Sequence, residues 1–224
     1  MKTNSAEDSL RLYRQLYQSG YGNINTIVDV GIESFTRSLI NVFPDIHHYL
    51  FEPATVFNED IAESYKNISH TLINVALSDR PGTAVISGHN RHYSHDAGDT
   101  ETEFTTLDIY FNDKPDVWTF DTLVKIDTDG LELEIIRGGT NFLKSVGLVM
   151  VESTTAGILG TCQAMTDLNF ELWDITSPCY YYSQLFQADL LFINQRLKNT
   201  VGNSTFRTQD HPFDMSQWIN GEIL

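Results

Sequence analysis

Repeatedly along the chain, a short run of aliphatic and β-branched residues ends at a polar or acidic residue, and helix-patterned sequence follows. Thr26-Ile27-Val28-Asp29-Val30 closes at Gly31, His48-Tyr49-Leu50-Phe51 at Glu52-Pro53, Thr122-Leu123-Val124-Lys125-Ile126 at Asp127, and the run from Val146 to Val151 at Glu152. Runs that are mainly apolar, without strict alternation, suit strands buried on both faces. Helical spacing is read from about Thr36 to Val42, Phe57 to Tyr65, Leu131 to Leu143 and Ile158 to Leu168. Further strands are read at Thr71 to Val75, Ala84 to Ser87, Phe170 to Ile175 and Asp189 to Ile193. Strands alternating with helices specify an α/β fold, a mostly parallel sheet with helices on both faces. An amphipathic helix carrying Leu10, Tyr13, Leu16 and Tyr17 precedes the first strand and ends near Gly20.

Size and charge bound the function. With 224 residues, 41% of them hydrophobic, the chain can bury one sizeable core, so residues 1–224 are read as one domain. Its N-terminal helix falls within residues 1–22, a polar segment without periodicity at 88–104 is read as a loop over the site, and the tail at 195–224 is expected to pack back through Phe206, Phe213, Met215 and Trp218. Fourteen Lys and Arg against thirty Asp and Glu leave a net charge of −16, which repels phosphate backbones and anionic headgroups. Neither nucleic acid nor membrane is therefore expected as a partner. Cys162 and Cys179 lack metal-type spacing, and the acidic start Met1 to Asp8 lacks the apolar run of a secretory signal. Reduced thiols and a cytoplasmic setting are expected.

In an open parallel sheet, ligands bind in the crevice outside the carboxyl ends of the strands. The strand ends here deliver Asp29 and Gly31, then Glu52, Asn74, Asp127 with Asp129, and Glu152. A carboxylate after the second strand can accept both hydroxyls of a ribose, and an amide after the third can meet an adenine amino group. Acids after the fourth can take a proton from a substrate hydroxyl or hold a divalent cation. Each has a plainer alternative: Asp127 and Asp129 as helix caps, Glu52 as a strand terminator, Glu152-Ser153-Thr154 as the start of the next helix. His89, His92 and His95, spaced by three near Asp96 and Asp99, have the ligand types of a metal site, but the spacing alone fixes no geometry and no metal is expected. A His there could instead act as general base. Tyr180-Tyr181-Tyr182 with Trp173 and Phe186 read either as a stacking platform or as ordinary core.

These segments also carry a family resemblance. Val28-Asp29-Val30-Gly31, Phe51-Glu52-Pro53, Asn74-Val75-Ala76-Leu77-Ser78, Thr106-Leu107-Asp108, Lys125-Ile126-Asp127-Thr128-Asp129-Gly130-Leu131-Glu132, Arg137-Gly138-Gly139 and Val149-Met150-Val151-Glu152 follow one another as in the FkbM family of S-adenosylmethionine (SAM)-dependent methyltransferases. Asn169 to Ile175 and Asp189 to Ile193 continue the likeness, which runs from about Tyr13 to Ile193. The resemblance implies a Rossmann-like seven-stranded sheet with one antiparallel strand, SAM as cofactor, and methyl transfer to oxygen. It implies Asp29, Gly31, Glu33, Glu52, Asn74, Ala76 and Asp127 at the cofactor, with Gly31 admitting close backbone approach, Glu52 on the ribose, and Asn74 to Ala76 beside the adenine. Asp127 and His92 are the candidate catalytic residues; Asp129, Glu152, His89 and His95 are the candidate acceptor contacts.

One loop departs from the family's pattern. In Gly31-Ile32-Glu33-Ser34-Phe35-Thr36 an ungapped comparison puts Phe35 where the family usually has a second glycine and a gapped one deletes that glycine, and the family's Glu after the fourth strand is shortened to Asp129. With the acidic strand ends retained as a set, Phe35 is expected to turn into the core. The leading reading is O-methylation of a hydroxyl on a sugar, glycan or natural product; the alternative is a methyltransferase-like binding module that has lost SAM. A nicotinamide oxidoreductase ranks last, because the Gly-x-Gly-x-x-Gly run is missing.

Overall fold

The computed structural model describes residues 5–86 and 100–199. In chain order the elements are α1 (Ala6–Gly20), β1 (Thr26–Val30), α2 (Arg37–Val42), β2 (His47–Phe51), α3 (Asn58–Ser64), β3 (His70–Ile73), β4 (Ala76–Leu77), β5 (Gly82–Ile86), β6 (Thr100–Thr105), α4 (Leu107–Tyr110), β7 (Thr122–Ile126), α5 (Glu132–Gly138), α6 (Thr140–Leu143), β8 (Leu148–Thr154), α7 (Ile158–Asp167), β9 (Phe170–Tyr181), β10 (Gln184–Asn194) and α8 (Gln195–Asn199). Seven strands form one sheet in the order β3-β2-β1-β7-β8-β10-β9; β4, β6 and β5 form a small second sheet. The first five strands of the large sheet pair in parallel, whereas β10 runs antiparallel to both β8 and β9. β10 alone is therefore reversed.

The period of two along each strand splits the core. Val28, Val30, Val124, Ile126, Val149 and Val151 face one layer, which includes Phe111 and Phe142. Ile27, Leu123, Leu148 and Met150 face the other, beneath α1 with its buried Leu10, Tyr13 and Tyr17. Residues i and i+3 or i+7 share one side of a helix, so those three make a continuous stripe. Ser5 caps that helix, its hydroxyl accepting from the Asp8 N–H at 3.2 Å, while Glu7 and Asp8 complement the positive end of the helix dipole. β1 and β7 are buried at every position, as their apolar composition requires.

Several boundaries differ from expectation. The helix read over 131–143 breaks at Gly139 into α5 and α6. Gly138 lets α5 lie close against the loop after β4, since a Cβ there would lie 2.0 Å from the Ser78 carbonyl oxygen. The loop expected over 88–104 is a strand from Thr100 onward; residues 87–99, with His89, His92 and His95, lie outside the described residues, as does the tail from 200. β9 and β10 run well past the expected 170–175 and 189–193, forming a hairpin whose turn places Tyr182 (φ 49°) and Ser183 (φ 62°) in the left-handed region. Among the described residues, no helix is long and apolar enough to cross a membrane.

Candidate active site

The carboxyl ends of the parallel strands, the β9–β10 hairpin and the first turn of α1 surround a cleft of about 1100 Å³. Small-molecule sites commonly enclose about 300–1000 Å³, so there is room for two ligands side by side. Gly31, Glu33, Glu52, Ala76, Asp127, Asp129 and Glu152 all line it.

Three strand tips are knitted together at its floor. The Gly31 N–H donates to the Phe51 carbonyl at 2.9 Å, and the Asp127 N–H to the Val30 carbonyl at 3.0 Å. Gly31 has φ +77°, and a Cβ there would lie 1.8 Å from the Asp127 carbonyl oxygen. Its lack of a side chain is thus demanded by β7, whatever a ligand over it also requires.

Glu52 is buried at 7% exposure, with Oε2 accepting from the Glu33 N–H and Oε1 from the Ala54 N–H, each at 2.9 Å. Burial pushes its carboxyl up to about 7, against the pull of those two bonds. The first bond also fixes Glu33, whose φ of 51° is uncommon for a residue other than glycine. Asn74 is a correction: it does not line the cleft. Its Nδ2 donates to the Glu52 carbonyl at 2.8 Å and to Asn58 Oδ1 at 2.9 Å, so it holds the Glu52 backbone from behind. Because β3 stops at Ile73, the wall there is made by Val75, Ala76 and Leu77.

Asp29 is the second correction. It is fully buried and off the cleft, in register with Lys125 on β7, whose Nζ lies 3.8 Å from its Oδ1; the Tyr65 hydroxyl donates to Oδ2 at 3.4 Å. Burial raises its pKa, with Lys125 opposing. Lys125 also donates to Asp127 Oδ2 at 2.8 Å. Burial alone would depress the ammonium, yet Asp127 and Asp29 leave its pKa raised. Removing one member of such a buried pair typically costs about 3–5 kcal/mol.

Asp127 is thereby fixed from below, and Glu152 meets it from the side. Burial first, then the Asp127 charge and a hydrogen bond to Asp127, push the Glu152 carboxyl up to about 9. Near neutrality Glu152 keeps its proton and donates it towards Asp127. Gln187 Nε2 donates to Glu152 Oε1. Asp189, the register partner of Glu152 on β10, also lines the cleft, its pKa raised by burial against the opposing charge of Lys125.

The loop that carries Asp127 and Asp129 leads into α5, whose N-cap position is Leu131, without a side-chain cap bond. Glu132 Oε1 fastens that loop, accepting from Thr128 N and Oγ1 at 3.0 Å each and from Gly130 N at 2.9 Å. Asp129 stays exposed with φ 55°. β8 carries on through Thr154, and Ser153 and Thr154 do not line the cleft. Phe35 corrects the remaining loop expectation: it lies at the cleft, 45% exposed, with the Arg37 guanidinium 5.7 Å above its ring, and is not in the core. The aromatic group divides. Tyr180, Tyr181 and Phe186 line the cleft, while Trp173 packs against Tyr13 on the α1 side.

Two residues of the site had no role in the sequence reading. Lys125 is the one charge within β7, and that oddity is the signal. Asp189 lies at the middle of β10, and because β10 runs backwards its first half reaches the carboxyl edge, where the parallel strands have their ends. Among the described residues, no group of three or more His, Cys, Asp or Glu is arranged to hold a metal ion.

A seven-stranded sheet in this order, with one reversed strand and a cleft at its carboxyl edge, is a Rossmann-like architecture. The methyltransferase FkbM domain model matches residues 23–172, more than half of the chain, and the chain belongs to that family. Among solved structures, methyltransferase FkbM from Methylobacillus flagellatus KT aligns with a TM-score of 0.53 at 12% identity, over 75% of this chain and 43% of that one. This chain thus spans less than half of that protein. Precorrin-6y C5,15-methyltransferase from Geobacter metallireducens GS-15 aligns with a TM-score of 0.47 at 12% identity, over 87% of this chain and 92% of that one. Magnesium protoporphyrin IX methyltransferase from Synechocystis PCC 6803, with bound SAM, gives 0.45 at 13% identity, over 84% and 77%. Of these three only the first exceeds 0.5, and at its identity it speaks for the fold alone. No curated protein sequence matches the chain.

Proposed function

We propose that the protein is a SAM-dependent methyltransferase acting on a hydroxyl of a sugar, glycan or natural product. The observation that carries this reading is that Glu52 and Asp127, just past the ends of separate strands, line one cleft large enough for cofactor and acceptor together.

The residues on the β1–β3 side fit SAM. Each Glu52 oxygen accepts a single backbone N–H, which leaves lone pairs for two ribose hydroxyls. Phe51, Val75 and Leu77 offer apolar surface for an adenine. Arg37, which has no carboxylate partner among the described residues, can meet the methionyl carboxylate. When bound, SAM supplies an electrophilic methyl group on a sulfonium. Asp127, tethered by Lys125, accepts the proton of the acceptor hydroxyl, and the neutral Glu152 beside it limits the negative charge gathered there. Alignment of the acceptor oxygen supplies much of the remaining rate.

The test is transfer of label from SAM to hydroxyl acceptors. Asp127→Asn should lower kcat by about 10²–10⁴, the usual worth of a positioned general base; an undiminished rate would remove that role. A second reading, a binding module without SAM, is favoured by Phe35 and Glu33 standing on the cofactor loop. Under it the wild type binds no SAM and Phe35→Gly gains it.

A further inference from the structure

We propose that the acceptor carries a protonated amine beside its hydroxyl, as an amino sugar does, and that the β8–β10 side of the cleft holds this ammonium between carboxylates and tyrosine rings. The inference rests on the methyltransferase reading for its division of the cleft: if Glu52 and the Val75–Leu77 wall serve the nucleoside, the opposite side serves the acceptor.

That side is unbalanced in charge. Asp127, Glu152 and Asp189 line it, while Glu7 of α1, also at the cleft, is already paired with Arg11 at 2.6 Å. Among the described residues, the one cation contributed there is Lys125, 7% exposed and already engaged by Asp127 and Asp29. Carboxylates gathered at a partly buried site favour a positive ligand and disfavour an anionic one, because desolvation strengthens both effects. Glu152 answers the imbalance by keeping a proton, which a docked ammonium would displace. A neutral sugar would desolvate the same carboxylates and return no charge to them.

The rings give a second, independent indication. Tyr180 and Tyr181 are 63% and 64% exposed, although both line the cleft, and the Phe186 ring centre lies 6.2 Å from that of Tyr181. The faces of aromatic rings attract ammonium groups, and carboxylates opposite them complete a cation-selective pocket. A net charge of −16 on the chain also raises the local concentration of cationic ligands.

The test is calorimetric titration of the full chain, saturated with S-adenosylhomocysteine, using matched probes: glucosamine against N-acetylglucosamine, and kanamycin against its fully N-acetylated form. The amines should bind at least about 10-fold more tightly than their acetylated partners, the scale of one charge-assisted contact. Asp189→Asn and Tyr181→Ala should each erase most of that preference while leaving S-adenosylhomocysteine binding unchanged, which shows that the variants are folded. Equal affinity within each pair, or no binding by either amine to protein that does bind S-adenosylhomocysteine, overturns the proposal. If S-adenosylhomocysteine itself fails to bind, the methyltransferase reading falls, and the same pairs titrated without it decide the amine preference.

Discussion

The Asp127 carbonyl oxygen stands 1.8 Å from where a Cβ of Gly31 would lie, so the tips of β1 and β7 are in direct backbone contact at the cleft floor. One substitution reports on that contact and on the positive φ of Gly31 together.

Gly31→Ala should destabilise the protein by about 2 kcal/mol or more, from left-handed strain plus displacement of the Asp127 backbone. A urea unfolding midpoint that drops with an unchanged slope is the expected result. An unshifted midpoint would show that the β7 tip yields without cost.

The carboxyls of the cleft make stability depend on pH in a definite direction. Glu52 is pushed up to about 7 and Glu152 up to about 9, whereas an unfolded glutamate titrates near 4.3. Between those values each of these two groups binds more protons in the folded state. Below about pH 6.5 His48, lowered to about 4 by burial, acts in the opposite sense, so the clear fall in stability runs from about pH 7 to about 9. Thermal midpoints measured from about pH 7 to about 9 should slide downward, and Glu152→Gln should flatten that slope. Midpoints that climb with pH would contradict the burial of these two groups.

How much of this the sequence could disclose depended on local contrast. Thr26–Val30 and Thr122–Ile126 emerged with their observed boundaries because both strands are buried throughout and end at an abrupt change in polarity. The hairpin extension was illegible for the opposite reason: the residues from Ser177 to Phe186 are mostly exposed and follow no period, and only pairing across the Tyr182-Ser183 turn makes them strand. β6, with sequence Thr-Glu-Thr-Glu-Phe-Thr, reads as solvated loop until β4 and β5 flank it. Within the site, Asp29 and Asp127 look alike as acids near strand ends. The difference is that Asp29 lies inside β1, opposite Lys125, while Asp127 lies one residue past β7 and reaches the cleft. Asn74 shows how far a one-residue boundary matters: β3 ends at Ile73, and the side chain that followed turned back to hold Glu52.

Calorimetric titration of SAM into the wild type and into Glu52→Ala tests the central claim most directly. The wild type should bind one equivalent, and the variant should bind it more weakly by roughly 1.5–3 kcal/mol, the worth of a hydrogen bond to a charged group. Equal affinity in the two proteins, or no binding by a folded wild type, would contradict the assignment of Glu52 to the cofactor and of this cleft to methyl transfer.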